Sequence, residues 1–146
     1  MRPVSEQLLT EAHKFLDWAR AQGAGLDGTD DSIAFVYGIL YSMASDADED
    51  PAERGVKILA YSVYLAELLA RTCRGVRCVV DGDGMTLRDV VAVHDESGTM
   101  QFTLQWVLGC LEDPVADSIA FKYIGALHDF GESERARYLT ALFGYE

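Results

Sequence analysis

Apolar residues recur every three or four positions through the first half of the chain, the spacing that places them on one face of a helix. Three helices are predicted there, over residues 3–20, 33–43 and 52–71. Asp31 or Ser32 supplies a capping side chain for the second helix, and Pro51 suits the first turn of the third. The third helix is apolar nearly all round between residues 58 and 70, so we expect it to lie at the centre of the fold.

After Gly75 the apolar period changes from helical to alternating, which indicates strands. We predict strands over residues 76–81, 86–94 and 99–102, with the sequence Asp-Gly-Asp-Gly at 81–84 as a hairpin turn. Helices over residues 104–111, 118–130 and 133–143 are predicted to complete the chain. The expected fold is one α+β domain covering residues 1–146. It has three N-terminal helices, a three-stranded antiparallel β-meander, and C-terminal helices packed on one face of the sheet.

Almost the same seven residues open two of these helices. DSIAFVY occupies positions 31–37 and DSIAFKY occupies positions 117–123. In both copies Asp or Ser is able to cap the helix, while Ile, Phe and Tyr anchor its first turns in the core. The repeat indicates either two helices packed quasi-symmetrically about the central one, or the convergence of good helix starts on similar residues.

The composition is strongly acidic, with a formal net charge of −12 at pH 7, while apolar residues make up 49% of the chain. That apolar share is sufficient for a hydrophobic core in one domain of 146 residues. Between residues 21 and 53 the chain carries eight carboxylates and neither lysine nor arginine. This asymmetry is typical of a surface whose charge repulsion prevents aggregation, or of one that attracts a basic protein. Nucleic acid is not an expected partner, because the chain has no dense basic run.

No sequence motif for catalysis, metal binding or cofactor binding is found. The spacing Asp46-x-Asp48-x-Asp50 starts like a calcium loop, but Pro51 and Lys57 stand where that loop needs glycine and glutamate. The histidines show no metal-ligand spacing, and no glycine-rich loop leads into a helix to hold a phosphate. We therefore predict no catalytic residues, no metal and no cofactor.

Two isolated residues are candidates for lining a pocket. Glu67 interrupts the most apolar helix, where it either pairs with Arg71 four residues later or acts as an acid facing a pocket. His94 precedes two carboxylates, which would favour its charged form, although a polar strand end explains the same residues. An enclosed pocket that contains either side chain would support the alternative, which is a small-molecule-binding protein or an enzyme with a pocket between helices and sheet.

The three cysteines, at positions 73, 78 and 110, cannot all pair within the chain, and buried free thiols are expected. Residues 58–70 form the longest apolar run, which is too short to span a bilayer and includes Glu67. The N-terminus has the pattern of an amphipathic helix rather than of a secretory leader. We expect a cytoplasmic protein with no membrane partner.

Residues 60–70, AYSVYLAELLA, are followed by Gly75 and by the strand pattern of residues 76–81. This combination resembles a segment of small uncharacterised bacterial α+β proteins, over about a quarter of the chain. The resemblance implies a helix that leads into a β-meander, and it implies no activity.

These observations favour a non-enzymatic interaction protein of bacterial type that binds a basic macromolecular partner, such as an immunity protein or an antitoxin-type inhibitor. Its carboxylates would steer the partner, and nearby tyrosines would anchor it. The predicted partner-binding residues are Asp46, Asp48, Glu49, Asp50, Glu53, Tyr37 and Tyr41. A structural subunit of an assembly is a third hypothesis, for which a large apolar face on an outer helix would be diagnostic. The oligomeric state is not predicted.

Overall fold

The structure, a computed structural model, describes residues 4–83 and 86–145. This part of the chain is an α+β fold of six helices and one three-stranded antiparallel sheet. The elements are α1 Val4–Ala21, α2 Ser32–Ser45, α3 Pro51–Thr72, β1 Val76–Asp83, β2 Thr86–His94, β3 Met100–Phe102, α4 Thr103–Glu112, α5 Ile119–Asp129 and α6 Ser133–Phe143. The predicted fold class and the predicted order of helices, meander and helices are confirmed. Pro3, in the predicted first helix, and Gly84, in the predicted hairpin turn, lie outside the described residues.

The two copies of the repeated helix start make different contacts. Ser118 caps α5, since its hydroxyl accepts a hydrogen bond from the Phe121 backbone N–H at 3.5 Å. Asp31 makes no side-chain capping bond at α2, and the buried Ser32 instead accepts a hydrogen bond from the Tyr64 hydroxyl at 2.7 Å. The repeated residues therefore begin the two helices with different capping contacts.

The helix α3 lies at the centre of the fold, as its nearly all-round apolar sequence predicts. It packs against α1, against α4 and against the sheet. Leu65 and Leu69 are fully buried, and removing such a side chain from water contributes about 1.5–3 kcal/mol to folding. The helix begins after Asp50, whose carboxylate accepts the Glu53 backbone N–H at 3.1 Å.

The sheet has the strand order β1-β2-β3 with antiparallel pairing between neighbours. One face carries Val90 and Ala92, which are fully buried beneath the helices. The other face carries the cross-strand row formed by Val79, Val91 and Phe102. Phe102 is exposed, so this second face meets solvent at the β3 edge.

The prediction that the C-terminal helices pack on one face of the sheet is correct for α4 only. Among the described residues, α1, α3 and α4 make the extensive contacts with the sheet, whereas α5 packs mainly against α6 and α2. The reason is that α3 is apolar on several sides and precedes β1 directly. It therefore occupies the sheet surface that the sequence pattern assigned to α5 and α6.

A partly buried polar cluster ties the C-terminal helices to the rest of the fold. The Arg135 guanidinium of α6 donates to both carboxylate oxygens of Asp30, at 2.8 and 2.7 Å, and to the Thr72 carbonyl at 2.7 Å. The Tyr123 hydroxyl of α5 also donates to Asp30, at 2.7 Å. Burial by itself would raise the pKa of Asp30, but the hydrogen bonds from Arg135 and Tyr123 outweigh it and hold that pKa below its ordinary value. The ionised carboxylate thus joins α3, α5 and α6 to the loop before α2.

Candidate partner-binding site

The acidic residues of the predicted site lie on the loop between α2 and α3 and on the first turn of α3. We call Asp46, Asp48, Asp50 and Glu53, all of them exposed, the acidic loop. Local structure accounts for two of these carboxylates, because Asp46 accepts the Asp48 backbone N–H at 3.1 Å and Asp50 caps α3. Within the described chain, the side chains of Asp48 and Glu53 form no hydrogen bond or ion pair. These two charges are therefore available to a partner's cations.

Glu49 is one of the predicted binding residues, but its charge is neutralised inside the fold. Its side chain is 6% exposed and forms ion pairs with Lys57 and with Arg54, whose guanidinium lies 3.4 Å from the carboxylate. The same guanidinium donates to the Met43 carbonyl near the C-terminal end of α2, at 2.8 Å. Glu49 thus ties the loop to two cations of α3, of which Arg54 also holds the end of α2, and its burial leaves it outside the surface that a partner would reach.

A recess lined by apolar side chains opens beside the acidic loop. Phe15, Trp18, Glu53, Val56 and Lys57 line about 330 Å³ between α1 and α3, and we call this recess the Trp18 cleft. Trp18 is 59% exposed, and its ring packs against that of Phe15 with 5.8 Å between the centroids. Glu53 brings to the same surface a carboxylate that no described residue pairs with, while the Lys57 ammonium that also lines the cleft pairs with Glu49. The cleft consequently combines an aromatic anchor with an available carboxylate.

Sequence reasoning did not single out Trp18, although the helical pattern contains the signal. The buried stripe of α1 runs through Ala12, Leu16 and Ala19, and Trp18 falls beside this stripe rather than on it. A large apolar residue outside the buried stripe of an amphipathic helix is a candidate for contact with another molecule.

The predicted anchors Tyr37 and Tyr41 stack on one another along α2, with 6.2 Å between ring centroids. Tyr145 extends this group, since its ring lies 6.2 Å from that of Phe143 and 5.8 Å from that of Phe121. Burial raises the pKa of Tyr37 above its ordinary value. The exposed ring of Tyr41 lies about one helical turn before the acidic loop.

Glu67 lines an open recess between α1, α3 and β1. Its carboxylate pairs with His13 of α1, whose Nε2 lies 2.8 Å from the nearer oxygen. Within the described residues the predicted pair with Arg71 is not formed, because the Arg71 guanidinium lies against Gly28 instead. The partner of Glu67 is therefore a residue of another helix and not the next turn of its own.

His94 lines an open recess of about 540 Å³ between the β2–β3 turn and the turn that joins α5 to α6. Its Nδ1 accepts the Ser97 backbone N–H at 3.0 Å, and its ring stacks on Phe130 with 6.2 Å between centroids. These contacts hold the His94 side chain in place, as expected for a polar residue at the end of a strand. The small-molecule alternative stays a prediction.

Comparisons with known proteins give no relative from which a function could be transferred. No family model matches the chain, and no match is found among curated proteins or solved structures. No helix in the described chain is long and apolar enough to cross a membrane. Over the same residues, no group of three or more His, Cys, Asp or Glu side chains is arranged to hold a metal ion.

Proposed function

We propose that this chain is a non-enzymatic binding protein that captures a basic protein partner, acting in the bacterial cytoplasm as an immunity protein or antitoxin-type inhibitor. The observation that carries the proposal is the Trp18 cleft. There an exposed indole and the Glu53 carboxylate, which pairs with no residue of the described chain, share one concave surface at the acidic loop. The net charge of −12 adds a long-range attraction for a cationic partner.

The two parts of this surface would act at different stages of binding. Asp48 and Glu53 would steer a cationic partner toward the site and so raise the association rate. Trp18 and Val56 offer apolar area that docking removes from water, and buried aromatic anchors of this kind slow dissociation. Tyr41 adds a further exposed aromatic ring next to the acidic loop.

Affinity capture from the source organism, followed by association kinetics with the purified partner, tests the proposal. Replacing Asp48 by Asn and Glu53 by Gln removes two charges without removing a hydrogen bond that either side chain makes within the described fold. We expect the on-rate to fall about three- to tenfold at low salt, and its dependence on ionic strength to weaken. Trp18→Ala should instead raise the off-rate about tenfold or more.

The matched control is the double variant Glu96→Gln and Glu134→Gln, which removes the same charge near the opposite end of α3. Glu96 lies on the turn whose backbone is bonded to Gly75, and Glu134 is next to Arg135, which contacts the end of α3. The 22 residues of α3 span about 33 Å between these positions and the acidic loop. The proposed site would be contradicted if the two double variants changed the on-rate equally. It would also be contradicted if Trp18→Ala left the off-rate unchanged.

A further inference from the structure

The open face of the sheet is apolar, although the solvated face of an antiparallel sheet usually carries polar residues. The strand register places two cross-strand rows on this face, Val79–Val91–Phe102 and Arg77–Val93–Met100. Phe102 is 43% exposed and Met100 is 52% exposed, whereas Val91 at the centre of the face is buried. A contiguous apolar group of this kind on a sheet face marks a surface that another protein covers.

Charge is distributed unequally along the same face. On one side of the Val79–Val91–Phe102 row lies Arg77, and on the other side Asp81 is paired directly with Asp89. Carboxylates opposite each other on neighbouring strands repel. Within the described chain the Asp81 carboxylate contacts one cation, Arg88, at 3.4 Å. The hydrogen bonds that the Asp89 carboxylate accepts there come from neutral groups, the Val90 backbone N–H and the Gln105 side-chain amide. The face is therefore apolar at its centre, carries Arg77 with its ion-pair partner Asp95 at one end, and carries two carboxylates at the other end.

We infer that a second copy of this chain covers this face, forming a symmetric dimer by sheet-on-sheet packing. The charge pattern is self-complementary about a two-fold axis that runs along the Val79–Val91–Phe102 row. In that arrangement the strands of the two copies run antiparallel, and the two Val79–Val91–Phe102 rows meet each other. The Arg77–Val93 end of each copy then faces the Asp81–Asp89 end of the other. Within one copy Arg77 pairs with Asp95, but both side chains are exposed. Replacing this ion pair by one between Arg77 and Asp81 of the other copy therefore costs little free energy.

The inferred interface is separate from the proposed partner site. The apolar rows lie on the side of the sheet away from the buried Val90 and Ala92, whereas the Trp18 cleft lies between α1 and α3. Neutralising Asp48 and Glu53 should therefore leave dimerisation unchanged. Failure of the basic-partner proposal and failure of the dimer are thus distinguishable.

Sedimentation equilibrium of the whole chain measures the dimer directly. Between about 1 and 300 µM, the average mass should rise toward twice the 16.1 kDa of one chain. Met100→Lys combined with Phe102→Lys places charge in the apolar part of the interface, where the two Phe102 positions face each other, and should weaken dimerisation at least about tenfold. Val115→Lys combined with Leu142→Lys is the control, because these exposed apolar residues lie outside the sheet, Val115 on the turn between α4 and α5 and Leu142 on α6. All four side chains are exposed, so circular dichroism should show both variants folded.

Charge reversal tests the geometry of the inferred dimer. Arg77→Asp and, separately, Asp81→Lys each place like charges face to face, so either variant alone should dimerise much more weakly than the wild type. A mixture of the two variants restores opposite charges at both ends and should form a heterodimer. The inference is overturned by a wild-type chain that stays monomeric, by a dimer that the Met100 and Phe102 changes leave intact, or by a mixture that forms no heterodimer.

Discussion

Loss of the Asp30 carboxylate tests how the C-terminal helices are held to the rest of the fold. Asp30→Asn preserves the size of the side chain but removes the nearer counter-charge of the Arg135 guanidinium, at 2.7 Å, and leaves the Glu132 carboxylate at 3.8 Å. Removing one partner of a fully buried ion pair costs about 3–5 kcal/mol. Here the side chains of Arg135 and Asp30 are 23% and 18% exposed, and asparagine retains one acceptor oxygen. We therefore expect a loss of about 2–3 kcal/mol in the free energy of unfolding.

Thermal unfolding followed by circular dichroism measures this loss. For a chain of 146 residues it corresponds to a decrease in Tm of about 6–10 °C. Asp17→Asn is the matched control, because Asp17 is exposed and pairs with Arg20 of the same helix at 3.2 Å. Its replacement should leave the Tm within about 1–2 °C of the wild-type value.

The pH dependence gives a second readout of Asp30, and its sign follows from the direction of the pKa shift. The pKa of Asp30 lies below 3.8 in the folded chain and takes that ordinary value in the unfolded chain. The contribution of the carboxylate to stability is therefore fully present above the unfolded pKa, and it is lost as the pH falls through the folded pKa. The difference in Tm between wild type and Asp30→Asn should be constant near neutral pH and should shrink below about pH 4. A Tm for Asp30→Asn equal to that of the control, or a difference that persists unchanged in acid, would refute this reasoning.

Three further predictions concern the core, the ion pairs and the thiols. In urea titrations, Leu65→Ala should lower the free energy of unfolding by about 2–5 kcal/mol through the cavity it creates, whereas the exposed Val115→Ala should change it by less than about 0.5 kcal/mol. Glu49→Gln should lower the Tm more than Glu67→Gln, because the Glu49 side chain is 6% exposed and that of Glu67 is 39% exposed; equal Tm values would contradict this. Burial, together with the Glu67 charge, raises the pKa of Cys78 to about 12. The thiol should therefore react with a disulfide reagent at about pH 8 far more slowly in the folded than in the unfolded chain, and rapid labelling of folded protein would count against it.

The fold class and the order of elements could be predicted because their signals are local. Helical periodicity located the six helices, and alternation located the three strands, since both patterns depend only on residues close in sequence. The central position of α3 followed from its lack of a polar face. The choice of helices that cover the sheet did not follow, because α3 and α5 both offer apolar surface and only packing decides between them.

Polar partners illustrate the same limit in more detail. Spacing within a helix suggested Arg71 as the partner of Glu67, but the partner is His13, which is 54 residues away along the chain. Asp30 and Arg135 are separated by 105 residues, so no local pattern indicates that they meet. Sequence spacing predicts neighbours along an element, whereas these pairs form where separate elements cross.

The sequence by itself determined an acidic chain with a helical first half, a β-meander and a helical end, together with a concentration of carboxylates around the start of α3. Only the tertiary structure decided which charges and aromatic rings remain at the surface. It turns Glu49 inward onto two cations, leaves Glu53 unpaired among the described residues, and brings Trp18 of another helix beside it. Exposure and ion pairing depend on residues that meet only once the chain has folded, and for that reason the composition of a surface could be anticipated while its shape could not.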